Sequence, residues 1–155
     1  MTNTEWASLN SLQLSQFAEY LIKMEFASYG FEIYIPDVDC PNGNFLTKKG
    51  DGPYYKIQVK SSRGLKSIYF ADKFNIKEDL FGALVLFISA WSPQLYLIPS
   101  TAWKITDGLF VTRASIGENS ISEWGLSLSS KNLDHLNSYL FDKIIADLSD
   151  GKIQN

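Results

Sequence analysis

The stretch "YYKIQVKSSRG", residues 54–64, decides the fold. Its first half alternates apolar and polar side chains, which is the pattern of a β-strand with one buried face. Alternation also places Gln58 and Lys60 on the same face of that strand. A strand that only packed against a core would not need an amide and an ammonium group side by side. We therefore predict that the end of this strand is functional, together with the polar residues that follow it, Ser61, Ser62 and Arg63.

The residues around this strand predict an α/β fold, in a single domain with a mixed central sheet flanked by helices. Upstream, apolar residues recur with a helical period from about Ser11 to Tyr29, with Asn10 as the N-cap and Gly30 as the stop. The other predicted elements are strands at 31–35, 44–49, 67–70, 83–89 and 95–99, an irregular stretch over 100–130 with a strand at 125–129, and a helix from Asn132 to about Leu148.

The composition predicts a cytoplasmic protein with no membrane contact. The chain has 155 residues, of which 45% are hydrophobic and 20% charged. Its longest apolar run, from Leu80 to Trp91, is too short to cross a bilayer. Cys40 is the single cysteine, so no disulfide or cysteine metal cluster is expected. His135 falls on the last predicted helix, where we expect it to lie at the surface or to pack against a neighbour.

Positive charge is concentrated in one segment of the chain. Between Lys48 and Lys77 there are eight basic and two acidic residues, a net charge of +6, whereas the whole chain carries −3. A basic patch on an acidic body is typical of focused recognition of a polyanion. The alternative is a solvated hairpin and loop that simply carries several lysines.

At this point the chain resembles the PD-(D/E)XK nuclease superfamily, which includes Holliday junction resolvases, many restriction endonucleases and some intron-homing endonucleases. The resemblance covers roughly the first 65 residues and, more weakly, "ALVLFISAWSPQLYLIPS". Three stretches carry it: "FAEYLIKMEFASYGFEIYIPDVD", "GNFLTKK" and "YYKIQVKSS".

The resemblance implies a metal-dependent DNA endonuclease that hydrolyses phosphodiester bonds, working as a homodimer. Matched position by position, the catalytic residues would be Glu19, Asn44, Gln58 and Lys60. Glu19, Asn44 and Gln58 would hold Mg²⁺ or Mn²⁺, and Lys60 would assist the attacking water. The contacts to the nucleic acid would come from Lys48, Lys49, Ser61, Ser62, Arg63 and Lys66.

Two matched positions depart from the family pattern. Asn44 stands where the family has a metal-binding aspartate, and Gln58 stands where it has an acidic residue. Three explanations are open: Asp37 or Asp39 replaces the missing ligand, Asn44 is an introduced replacement that silences the enzyme, or the domain is a natural variant that binds without cutting.

Two other functional hypotheses come from different classes. The first is a non-catalytic nuclease-like module that binds nucleic acid or a protein partner. The second is an unrelated α/β protein in which the Q-x-K pattern is a coincidence. Among the aromatic residues, Tyr69 and Phe70 lie near the basic segment and are candidates for stacking on unpaired bases.

Overall fold

The computed structural model describes residues 5–36, 44–70, 74–88, 92–114 and 122–149. These residues form the predicted α/β fold, with a mixed five-stranded sheet, a second sheet of three strands and flanking helices. The elements are α1 (Ser11–Ser28), β1 (Glu32–Tyr34), β2 (Asn44–Lys48), β3 (Tyr55–Arg63), β4 (Ser67–Tyr69), β5 (Leu80–Phe87), β6 (Gln94–Pro99), β7 (Phe110–Ala114), β8 (Ser122–Ser127), α2 (Leu133–Leu136) and α3 (Phe141–Ser149), with short 3-10 helices at Trp6–Ser8, Ser100–Lys104 and Asn137–Tyr139.

The first helix, α1, begins and ends as the sequence predicts. The Asn10 side chain accepts a hydrogen bond from the backbone N–H of Gln13 at 2.8 Å, and the Gln13 side chain accepts one from the Asn10 N–H at 2.9 Å. Gly30, with a φ of +88°, turns the chain out of the helix. The buried stripe of α1 consists of Leu14, Ala18, Ile22 and Phe26, and Met24 falls outside it at 65% exposure.

The larger sheet has the strand order β1-β2-β3-β5-β6. Its first three strands form an antiparallel meander, β5 runs parallel to β3, and β6 pairs antiparallel to β5. Helices α1 and α3 cover one face of this sheet. Their apolar side chains pack there against a set of strand residues that includes Phe45, Ile57, Ala83 and Val85.

The smaller sheet, in the order β4-β8-β7, packs on the opposite face over β5 and β6. The second core contains Leu84, Leu86, Ile98, Phe110 and Leu126. As a result, every residue of β5 is buried between the two layers. A strand buried on both faces is expected to be a continuous apolar run, which is how the sequence reads there.

Two predictions for the C-terminal third were wrong. The stretch 100–130 was expected to be irregular apart from a strand at 125–129, which overlaps β8, but it also contributes a second paired strand, β7. The helix expected from Asn132 to Leu148 is interrupted at Leu140, whose backbone is extended at ψ 138°. Leu140 forms a β-bridge with Tyr96, and the Tyr96 hydroxyl donates to Asn137 Oδ1 at 3.2 Å. These contacts to β6 replace the helical turn.

Among the described residues, no helix has the length and apolar character needed to cross a membrane.

We predict that Gly82→Ala lowers the free energy of unfolding by about 1–3 kcal/mol, because a Cβ there would meet a packed aromatic ring. The added carbon would lie 2.5 Å from Cζ of Phe70. Urea denaturation measures the effect. Gly108→Ala is the matched control, since a Cβ at Gly108 meets no atom within 4 Å. Equal stability of the two variants would show that Phe70 does not occupy the space over Gly82.

Candidate functional site

Strand β3 divides its side chains between the two faces of the larger sheet. Ile57 is buried in the core beneath α1, and Val59 packs against the same core. Gln58 is paired with Gly82 in the parallel register, and the space above Gly82 is occupied by Phe70 of the second core. Gln58 and Lys60 therefore project from the face opposite α1, as alternation requires.

Asn44 is brought directly beside this pair. It is the first residue of β2, and the antiparallel register places it opposite Gln58. Residues opposite each other in an antiparallel pair have side chains on the same face, with Cβ atoms about 4.5–5.5 Å apart. Three of the four residues matched to the nuclease motif, Asn44, Gln58 and Lys60, thus share one face at the end of the β2–β3 hairpin.

Glu19, the fourth matched residue, approaches the sheet from the other face. It lies on α1, where its Oε1 accepts a hydrogen bond from Lys23 Nζ at 2.7 Å. Lys23 Nζ also lies 5.7 Å from the ring centroid of Phe45, a residue of the core beneath α1. Glu19 thus belongs to the helix that packs on the face carrying Ile57. Its grouping with Asn44, Gln58 and Lys60 at one metal site stays a prediction of the resemblance.

The donor set on the open side of the hairpin does not by itself fit Mg²⁺. Asn44 and Gln58 offer neutral amide oxygens, and the ammonium group of Lys60 adds positive charge nearby. Mg²⁺ sites in proteins generally include carboxylates, which offset the cost of dehydrating the ion. No group of three or more His, Cys, Asp or Glu side chains suited to a metal occurs within the described residues. Asp37, Asp39 and Cys40 lie outside them.

The Gln58 side chain carries an unusual feature for a buried amide. The residue is 7% exposed, and its Oε1 atom is buried and has no hydrogen-bond partner among the residues that the structure describes. Leaving a buried acceptor unpaired costs about 1–3 kcal/mol, so such groups are uncommon in folded proteins. Within the described part of the chain, this oxygen is thus an unpaired acceptor beneath the surface at the open end of the β2–β3 hairpin.

Two of the residues expected to contact phosphate are engaged within the protein. Ser62 is buried, and its hydroxyl donates to the Gly64 carbonyl at 3.0 Å. The Arg63 guanidinium donates to the carbonyl oxygens of Ala7, at 3.3 Å, and of Leu9. Both side chains therefore stabilise the chain locally, and Arg63 ties β3 to the segment that precedes α1.

The remaining expected contacts are divided between the two faces. Lys49 Nζ lies 5.9 Å from the ring centroid of Phe31, which belongs to the core beneath α1. Ser61 is half-buried and Lys66 is exposed. Lys48 lies on the same face as Gln58, because its position in β2 alternates with Phe45 and Thr47, which are buried. Of the lysines predicted to contact the nucleic acid, Lys48 is thus the one that shares a surface with Asn44 and Gln58.

The face that carries Gln58 has half-buried or exposed side chains over β1, β2 and the start of β3, whereas Gln58 and Ser62 on the same face are buried near the smaller sheet that covers β5 and β6. We call this surface the open face. It presents two tyrosines, Tyr34 and Tyr54, whose ring centroids are 5.7 Å apart. Beside them it presents three lysines, Lys48, Lys56 and Lys60. Lys48 Nζ lies 4.9 Å from the centroid of the Tyr54 ring.

Sequence reasoning missed this tyrosine pair and selected two other aromatic residues. Phe70 is 3% exposed and stacks on Phe74 inside the second core, while the Tyr69 ring is covered by the Arg113 guanidinium at 4.0 Å. Neither offers a free ring. The alternation of Tyr34 in β1 and of Tyr54 before β3 was a usable signal, since it places both on the face of Gln58.

The Tyr34 hydroxyl is held by a neighbouring carboxylate. It donates a hydrogen bond to Glu32 Oε2, two residues earlier on the same face of β1. This hydrogen bond, with smaller contributions from desolvation and the Glu32 charge, raises the pKa of Tyr34 to about 12. The hydrogen bond to Glu32 also restrains the orientation of the Tyr34 ring.

His135 has a packing role, as its position on the last predicted helix suggests. Its ring packs edge-on against Phe110, and its Nδ1 lies 3.6 Å from Asp107 Oδ2. The Asp107 carboxylate accepts hydrogen bonds from the backbone N–H groups of Phe110 and Leu109, each at 2.8 Å. The bond from Phe110 is the main cause that lowers the pKa of Asp107. This cluster lies with the second core, away from the open face.

Comparison with known proteins found no match, either to a protein-family model or to a curated protein. The resemblance to the nuclease superfamily consequently rests on the residues quoted above. Neither DNA nor a second copy of the chain is tested as a partner by these comparisons, and both stay predictions.

We predict that Gln58→Met raises the free energy of unfolding by about 0.5–2 kcal/mol, because it removes a buried acceptor that has no partner. Methionine keeps a similar length and can fill the same space. Urea denaturation of both proteins measures the change. A loss of stability of similar size would mean that the Gln58 oxygen has a partner, such as a buried water molecule.

Proposed function

We propose that the protein binds DNA through the open face and has a nuclease-like site in which an amide replaces the metal-binding carboxylate. One observation carries this proposal. Asn44 and Gln58 are opposite each other in the β2–β3 register, and Lys60 follows on the same face of β3. This is the relation that the PD-(D/E)XK resemblance assigns to the two metal ligands and the lysine of the site.

The proposal includes a chemical expectation for the chain as written. Hydrolysis of a phosphodiester adds negative charge in the transition state, and in nucleases of this kind bound metal ions neutralise that charge. Asn44 and Gln58 can accept hydrogen bonds or ligate weakly, but they contribute no negative charge to hold a divalent cation. The Lys60 ammonium group can still pair with a phosphate. We expect binding of DNA with little or no cleavage.

We predict that Asn44→Asp confers metal-dependent cleavage of DNA. The substitution is nearly isosteric and places a carboxylate beside the unpaired Gln58 oxygen. Supercoiled plasmid incubated with the variant and Mg²⁺ or Mn²⁺ should be nicked or linearised at least ten times faster than with the unsubstituted protein. Gel electrophoresis of time courses measures the rates.

Two further variants make this experiment specific. Lys60→Ala added to Asn44→Asp should abolish the gained activity, whereas Lys104→Ala added to it should not, since Lys104 is an exposed lysine on a 3-10 helix outside the open face. Gln94→Glu, at an exposed position of β6, adds the same charge elsewhere and should gain no activity. If Asn44→Asp cleaves no faster than the unsubstituted protein, the proposed nuclease-like site is wrong.

We also predict that DNA binding weakens steeply with salt and that the open-face lysines set the slope. For duplex DNA, the logarithm of affinity falls with the logarithm of salt concentration by about 0.9 for each phosphate neutralised. Replacing Lys48 and Lys56 by alanine should therefore reduce the slope by about 2. Fluorescence anisotropy at several NaCl concentrations measures it. An unchanged slope would place the DNA elsewhere on the protein.

A further inference from the structure

The tyrosine pair of the open face combines one exposed ring with one half-buried ring. Tyr54 is 51% exposed, although its neighbour Tyr55 is 5% exposed in the core, and Tyr34 is half-buried. The Tyr34 and Tyr54 rings meet at an interplanar angle of 67°, and the Tyr34 hydroxyl is fixed by Glu32. Exposed rings with restricted motion lose little conformational entropy when a ligand stacks on them. Nothing in the two cores depends on these rings, since both cores are built from other residues.

The charges around the pair favour a polyanion over other occupants. Among the described residues of β1–β3 and the adjoining Tyr54, the open face carries Lys48, Lys56 and Lys60, against Glu32 as its single acid. Glu32 already accepts the Tyr34 hydroxyl. The whole chain carries a net charge of −3, so this excess of positive charge is local. Aromatic rings interleaved with lysines on a sheet surface suit a strand whose phosphates pair with the lysines and whose bases stack.

The spacing connects this pair to the candidate phosphate site. Tyr54 and Gln58 are four residues apart along one face of the same extended chain, a distance of about 13 Å at 3.3 Å per residue. A few nucleotides span that distance, since stacked nucleotides rise about 3.4 Å each. Lys56 lies between the two positions on the same face.

From these observations we infer that Tyr34 and Tyr54 form a stacking platform for an unpaired base of a DNA strand that runs along β3 towards Gln58 and Lys60. The inference rests on the proposed function and specifies its substrate class: DNA that contains unpaired bases, such as a single strand or a branched or frayed end. A fully paired duplex keeps its bases stacked on one another, so it cannot use the platform and binds through its phosphates alone.

The test compares Tyr54→Leu with Tyr54→Phe in binding to a fluorescein-labelled oligonucleotide of twelve thymidines, measured by anisotropy at low salt. Loss of one base-stacking ring costs about 1–3 kcal/mol, so Tyr54→Leu should bind about 5- to 150-fold more weakly. Tyr54→Phe keeps the ring and should bind within about twofold of the unsubstituted protein. Tyr20→Leu is the matched control, since Tyr20 is 65% exposed but lies on α1.

Further probes separate stacking from charge. An abasic strand of the same length should bind the unsubstituted protein as weakly as the thymidine strand binds Tyr54→Leu, and a fully paired duplex should bind both proteins equally. If the unsubstituted protein binds neither strand nor duplex, the proposed DNA binding fails and the platform with it. If it binds DNA but Tyr54→Leu binds the thymidine strand as tightly, or the abasic strand binds equally well, the platform alone is overturned.

Discussion

The alternation of side chains along β3 is the constraint on which the rest of the structure depends. Ile57 and the odd-numbered residues on either side of it in β3 pack in the core beneath α1. Gln58 and Lys60 alternate with them along the strand and must therefore face the other way. The register is fixed from both sides, because Gln58 is opposite Asn44 in β2 and opposite Gly82 in β5. A slip of one residue would exchange every side chain between the faces and would bury the lysines.

This division gives the two faces of the larger sheet different compositions. The face beneath α1 is mostly apolar, with Thr47 as a buried polar residue, whereas the opposite face forms an apolar core over β5 and β6, where the smaller sheet covers it. Over β1–β3 that opposite face carries lysines, amides and tyrosines together with Glu32 and Leu46. One sheet thus supports two packed cores and still presents a largely polar surface, to which we assign the proposed binding of DNA. The unpaired Gln58 oxygen lies at the boundary between the two halves.

Much of the first hundred residues could be predicted from sequence, because their signals are local. The Asn10 capping box, the period of α1 and the hairpin before Tyr55 depend on neighbours in the chain, and all of them occur as expected. The side of the sheet on which α1 packs depends on tertiary contacts, so the face from which Glu19 is presented could not be foreseen. Strands close to β4 and β8 were predicted, but their pairing was not, because β8 follows β4 by nearly sixty residues. The third strand of the smaller sheet, β7, was missed, since alternation within such a short strand is a weak signal.

The position of β5 has a consequence for how the protein unfolds. One face of this strand packs in the core beneath α1, and its other face packs in the second core. The connection from β3 to β5 contains β4, which belongs to the smaller sheet. Neither layer can therefore melt while the other stays intact, so the two cores form one cooperative unit. The outer edge strand of the larger sheet is β1, which pairs with β2 alone and carries Tyr34. The margin of the open face therefore depends on a single strand pairing, whereas its centre lies on β3, which is paired on both sides.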